Sequence, residues 1–147
     1  MKMNAASIKN QKAEWEALGV KLPAFDHEAM TAKTKEHPVW VHFGAGNIFR
    51  GFIAGLQQRL LNAGLAESGI VAAETFDYDI IDKIYVPHDS MTLMVALKAD
   101  GSTQKEVIAS IAKGIKANCA DEAQWQQLTD VFTAPSLQMA SFTITEK

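Results

Sequence analysis

Val39-Trp40-Val41-His42-Phe43-Gly44-Ala45-Gly46-Asn47-Ile48-Phe49-Arg50-Gly51 is the stretch on which the fold turns. Its first five residues are β-branched or aromatic and lie between Pro38 and Gly44, which reads as a short strand. A glycine turn follows at once. From there a helix is predicted to about Ala63, with Ile48, Phe52, Ile53, Leu56, Leu60 and Leu61 on its apolar face and Gly64 as its stop. Gly51 and Gly55 share one side of that helix, and close packing against a sheet would account for them. Next comes the unbroken apolar run Gly69-Ile70-Val71-Ala72-Ala73, suited to a strand buried on both faces, and it ends at Glu74. Strand, glycine turn, helix, strand and acid outline a βαβ unit.

Outward from this unit the pattern changes. Met91 to Lys98 alternates, with Leu93, Val95 and Leu97 on one side, and Asp100-Gly101 is a hairpin turn signal. Glu106 to Ala112 is the expected returning strand, although Val107, Ile108, Ile111 and Ile115 also fit a helix. Asp121 to Phe132 reads as a helix with Trp125, Leu128, Val131 and Phe132 on its face, and Leu137 to Thr145 as a further strand. On the N-terminal side, residues 1–37 read as a helical arm. Ser7 to Leu18 is amphipathic through Ile8, Trp15 and Leu18, and Asp26 can cap a second helix running through Met30 toward Lys35. The expected fold is therefore α/β and Rossmann-like: a mostly parallel sheet with an inserted β-hairpin over residues 38–147, preceded by the arm.

The chemistry sits in the glycine turn. Gly44 permits the turn and Gly46 lets the backbone approach a bulky anion. The free N–H groups and positive dipole end of the following helix complete a pyrophosphate site over Gly44, Ala45, Gly46, Asn47, Ile48 and Phe49, with Arg50 placed to touch phosphate. Glu74 and Asp77 compete to accept from a ribose hydroxyl, and the other is expected to cap the helix after Asp77-Tyr78-Asp79. The usual fingerprint has a third glycine where Phe49 stands, and its acid comes sooner. A non-catalytic nucleotide-binding module and an S-adenosylmethionine-dependent methyltransferase share the pattern as far as it goes.

Composition narrows the field. The 147 residues are 48% hydrophobic and 21% charged, with a net charge of −3. The pI is about 5.8. These values give no reason to expect nucleic acid or an anionic membrane as partner. Cys119 is the single cysteine, consistent with a reducing, cytoplasmic setting, and no redox role is assigned to it. His27, His37 and His88 have no ligand-like spacing, so no metal site is predicted, and His42 inside its strand reads as a packed sheet histidine.

Trp40 to Ile53 resembles the opening of the mannitol dehydrogenase family, the long-chain polyol dehydrogenases and hexuronate reductases acting on substrates such as fructuronate or tagaturonate. Ser141-Phe142-Thr143-Ile144-Thr145-Glu146-Lys147 is similar to the family's Thr-x-Thr-Glu segment, and His88 to Gly101 to its hairpin. Bulky residues in place of the third glycine, like Phe49 here, occur among the uronate reductases. The resemblance implies an oxidoreductase passing a hydride between a nicotinamide and a polyol, ketose or keto-sugar acid. It adds Thr145 and Glu146 to the cofactor site and favours Asp77 for the ribose. A carboxylate there would repel a 2′-phosphate, so NAD is preferred and NADP is not excluded. The family's catalytic lysine, with its asparagine and histidine partners, belongs to a C-terminal helical domain that this sequence does not contain, so no catalytic residue is assigned. The chain alone is expected to bind dinucleotide weakly, to turn over nothing, and to self-associate through an exposed sheet edge.

Overall fold

The computed structural model describes residues 2–144. Its centre is a four-stranded, all-parallel sheet made of β2 (Trp40–Phe43), β3 (Ile70–Glu74), β6 (Ile111–Lys116) and β7 (Met139–Phe142), in the order β6-β3-β2-β7. The β2 strand pairs in parallel with β3 on one side and with β7 on the other. All five residues of β3 are buried, which is why that run can be apolar throughout. The chain thus reverses its direction of sheet growth at β2, and the crevice at the carboxyl end of such a reversal is where open α/β sheets take their ligands.

The hairpin is present but does not join this sheet. Its strands β4 (Thr92–Leu97) and β5 (Thr103–Ile108) pair antiparallel, and the arm strand β1 (Val20–Lys21) pairs in parallel with β5 to make a second, three-stranded sheet. The segment read as a single returning strand or a helix is instead two strands. The chain leaves the hairpin sheet after Ile108 and enters the parallel sheet at Ile111. At the bend Ser110 is fully buried and its hydroxyl donates to the Ala54 carbonyl at 2.6 Å. Leu93, Val95 and Leu97 do share one side, but that side is solvent-exposed.

The helix after the glycine turn departs most from expectation. A π-helical turn, Phe49–Ile53, precedes α4 (Ala54–Asn62). The wider turn holds one extra residue, which rotates everything after it by roughly one residue, about 100°. The buried positions become Phe49, Ala54, Gln58 and Leu61, with the first two five residues apart. Ile48, Phe52, Leu56 and Leu60, expected to face the core, are exposed. Gly51 and Gly55 are not forced by tight packing either: an added Cβ would meet only Met94 and Ile108 of the hairpin sheet, each at 3.9 Å. Gly64 ends the helix in the left-handed region at φ +69°.

The arm is two short helices rather than one, α1 (Ala5–Asn10) and α2 (Lys12–Ala17). They break at Gln11, where the Gln11 side chain accepts from Ser7 Oγ, and Ser7 Oγ in turn accepts from Trp15 Nε1. Trp15 packs with Val20, Met91, Val107 and Ala109, whereas Leu18 stays exposed. In α3 (His27–Glu36) Asp26 caps as the sequence implies, accepting from Ala29 N at 3.0 Å. In α5 (Glu122–Thr133) Asp121 does the same, and only Leu128 and Val131 of the four expected positions are buried; Trp125 and Phe132 are about half exposed. No helix among the described residues is long and apolar enough to cross a membrane.

Candidate functional site

The carboxyl ends of β2, β3 and β7 open onto a cleft of about 830 Å³. Gly44, Gly46, Asn47, Ile48 and Phe49 line it from the first βα turn, and Glu74 and Asp77 from the end of β3. The two turn glycines have different reasons to exist. Gly44 has φ +109°, and a Cβ there would sit 2.3 Å from Thr143 Oγ1. Gly46 has nothing within 4 Å of an added Cβ, so it is open to the cleft. The first helical hydrogen bond runs from Arg50 N to Gly46 O at 3.0 Å. The N–H groups of Gly46, Asn47 and Ile48 have no acceptor among the described residues and form the usual unsatisfied start of a helix.

Ala45 does not line the cleft. It is fully buried, its N–H donates to Glu74 Oε2 at 2.8 Å, and its carbonyl accepts from the Tyr85 hydroxyl at 3.1 Å. The other Glu74 oxygen accepts from the backbone N–H groups of Thr75, Phe76 and Asp77 at 3.0, 2.9 and 3.3 Å. Glu74 is therefore a bracket between turn and loop. Asp77 is exposed, with no partner for its carboxylate among the described residues. Neither acid caps the following helix through its side chain; the Asp77 backbone carbonyl accepts from Ile80 N at 3.2 Å.

Phe49 explains the missing third glycine. Its ring turns inward and stacks on His42, with centroids 4.2 Å apart and planes 4° from parallel. The bulk fills the core instead of the ligand's space. His42, fully buried, joins β2 to β7. Its Nδ1 accepts from Ser141 Oγ at 2.8 Å, Ser141 Oγ accepts from Trp40 Nε1 at 2.6 Å, and His42 Nε2 donates to Thr143 Oγ1 at 3.2 Å. The Thr143 hydroxyl is directed at Phe43 O, 3.5 Å away, which leaves Nε2–H as the donor and Nδ1 of the neutral ring as the acceptor. Burial pulls the His42 pKa down from 6.5 to about 4, so the ring is neutral. Arg50 lies off the cleft lining; one guanidinium nitrogen donates to Asn47 Oδ1, and Nε is buried without a partner among the described residues.

Thr145 and Glu146 lie outside the described residues. Sequence reasoning missed Tyr85 and the apolar rim of Phe76, Phe142 and Ile144, which are 92%, 60% and 84% exposed. The rim had a signal, since Phe76 and Ile144 come two residues past the ends of β3 and β7, at the carboxyl edge where an open α/β sheet takes its ligand. Tyr85 had none in its own neighbourhood.

No family model matches the chain. All 147 residues align at 46% identity with D-mannonate oxidoreductase of Thermotoga maritima, of which they span 27%. The resemblance to the mannitol dehydrogenase family is borne out. Among solved structures, the ternary complex of Pseudomonas fluorescens mannitol 2-dehydrogenase with NAD and D-mannitol superposes with a TM-score of 0.77 at 24% identity, covering 98% of this chain and 27% of that one. A substrate-free D-sorbitol dehydrogenase gives 0.74 at 22% identity, covering 99% and 27%. These two likenesses establish the α/β, Rossmann-like fold. The chain spans about a quarter of the length of each of these three proteins.

Proposed function

We propose that this chain is the NAD(P)-binding portion of an oxidoreductase that moves a hydride between nicotinamide and a polyol, ketose or keto-sugar acid. The observation that carries the reading is the glycine turn at the carboxyl end of β2, whose Gly46 faces open space beside unsatisfied helix N–H groups. That combination receives an anion without displacing any protein atom. The relative's name, D-mannonate oxidoreductase, supports a sugar-acid substrate of the hexuronate-reductase class.

The residues present fit a dinucleotide. Gly46, Asn47 and Ile48 would donate to the pyrophosphate, with Gly44, Ala45 and Phe49 shaping the turn beneath it. Asp77 would accept from the ribose, since Glu74 is already engaged by four backbone N–H groups. Arg50 contributes its charge from behind the turn. Thr145 and Glu146 extend the site on the strength of the Ser141–Lys147 segment. When bound, the nicotinamide supplies the hydride; the protein's part is binding and orientation. Residues 38–147 form the dinucleotide-binding unit in this reading and residues 1–37 an arm stitched to its hairpin; the setting is cytoplasmic. The β7 edge, with Met139 and Phe142 exposed, is the surface through which copies would associate.

Calorimetry with NADH, NADPH and S-adenosylmethionine tests the reading. Binding of NADH, more weakly of NADPH, and not of S-adenosylmethionine is expected. Binding of S-adenosylmethionine alone would favour the methyltransferase reading and end this one.

A further inference from the structure

The Ala45 peptide is held from both sides by residues far from it in sequence. Glu74 takes its N–H, and Tyr85, forty residues on, gives its hydroxyl to the carbonyl. Were the helix to start one residue earlier, that carbonyl would accept from the N–H of Phe49, four residues ahead. Here the first such bond is the next one along, Arg50 to Gly46. The phenol therefore occupies the acceptor that would let the helix wind one residue earlier. We propose that Tyr85 is a positioning residue of the dinucleotide site, holding the turn unwound at Ala45 so that the N–H groups of Gly46 and Asn47 face the cleft.

The inference rests on the dinucleotide reading of the cleft, but the clamp has its own structural support. Tyr85 is 2% exposed and lies in a second π-helical turn, Ile81–Tyr85, over the sheet. Its ring rests on Gly114, in the middle of β6, where a Cβ would come within 2.9 Å of the ring and 2.8 Å of Ile81 Cδ1. A glycine inside a strand weakens it unless something must approach closely; here the approaching group is the tyrosine. Burial, with Glu74 nearby, drives the phenol's ionisation well above its ordinary range, and Arg50 opposes this only in part, so the hydroxyl remains a donor. Nothing else among the described residues donates to the Ala45 carbonyl.

Removing the hydroxyl leaves a buried carbonyl unpaired. The turn then relaxes toward the Phe49 N–H, drawing Gly46 away from the cleft. The test is Tyr85→Phe, with Gly114→Ala as a second variant that displaces the ring while keeping the hydroxyl. Two measurements are made on each. In the unliganded protein, amide NMR should show the Gly46 and Asn47 resonances shifted in both variants. Titrations should show NADH affinity falling about tenfold in Tyr85→Phe while adenosine, which lacks pyrophosphate, changes by less than about twofold. Unmoved Gly46 and Asn47 amides overturn the positioning role whatever the ligand does. Equal losses for NADH and adenosine also overturn it, because a general loosening of the fold would do that. Shifted amides in a protein whose wild type binds no NADH would leave the clamp standing and refute the dinucleotide reading instead.

Discussion

Replacing Gly46 with valine should weaken dinucleotide binding and leave the fold untouched, while replacing Gly44 with alanine should damage the fold itself. At Gly46 an added Cβ meets nothing within 4 Å, and φ is not in the left-handed region, so the free protein has no reason to object. The stability change should stay within about 0.5 kcal/mol, as for other unconstrained surface positions. The valine would instead fill the space a phosphate needs beside the helix N–H groups, and NADH affinity should fall at least about tenfold, or about 1.4 kcal/mol. At Gly44 two costs combine. An L-residue at φ +109° is strained by about 1–3 kcal/mol. A Cβ placed 2.3 Å from Thr143 Oγ1 must also push that side chain aside, at about 1–3 kcal/mol for overpacking, and loosen its bond from His42. A total near 3 kcal/mol would lower the melting temperature of a domain this size by roughly 6–12 °C. Circular dichroism melts and NADH fluorescence titrations read both effects. Wild-type NADH affinity in Gly46→Val would refute the pyrophosphate assignment, and an unchanged melt in Gly44→Ala would refute the geometry of the turn.

Other expectations follow from the same structure. Asp77→Ser should raise the NADPH-to-NADH affinity ratio by about tenfold, because it removes the carboxylate opposed to a 2′-phosphate; an unchanged ratio would take Asp77 out of the ribose role. His42 has a folded pKa of about 4 against 6.5 unfolded, so between those values the unfolded chain takes up a proton that the folded one refuses. Stability contributed by the neutral ring is complete above pH about 6.5 and is lost on acidification at up to about 1.4 kcal/mol per unit, levelling below pH about 4. Burial also lowers the His27 pKa, so the difference between wild type and His42→Gln in urea melts across that range carries the test, and parallel pH profiles would contradict it. Gly55→Ala should stabilise the protein by up to about 1 kcal/mol, since the helix gains propensity and the new methyl meets only Ile108 at an ordinary 3.9 Å. A lower melting temperature would mean that the site is tighter than its geometry implies.

Features decided by neighbours in the chain were legible in the sequence. The apolar run of β3 announces a strand covered on both faces, Asp26 and Asp121 stand where helix caps must stand, and Gly44 occupies a turn that only positive φ can make. Strand, turn, helix and strand, together with the cleft that they generate, follow from such local rules, and so did the choice of Gly46 as the open position. What the local pattern could not contain was anything resting on a partner brought in by the fold. The apolar spacing of residues 48–61 fits an ordinary helix, yet the π-helical turn at Phe49–Ile53, whose Phe49 ring stacks on His42, shifts the register after it and leaves Leu56 and Leu60 outward, with Ile48 and Phe52 exposed at the turn itself. Glu74 and Asp77 look alike in one dimension; they differ because only Glu74 reaches the Ala45 N–H when β2 and β3 lie side by side. Tyr85 reaches the same peptide only because Gly114, on a strand formed later in the chain, leaves room for its ring. The arm, read as an appendage, supplies a strand to the hairpin's sheet, since an exposed β5 edge offers backbone groups that β1 can satisfy. Hydrogen-bond partners separated by tens of residues are chosen by strand order and register, and those emerge only when the whole core is packed.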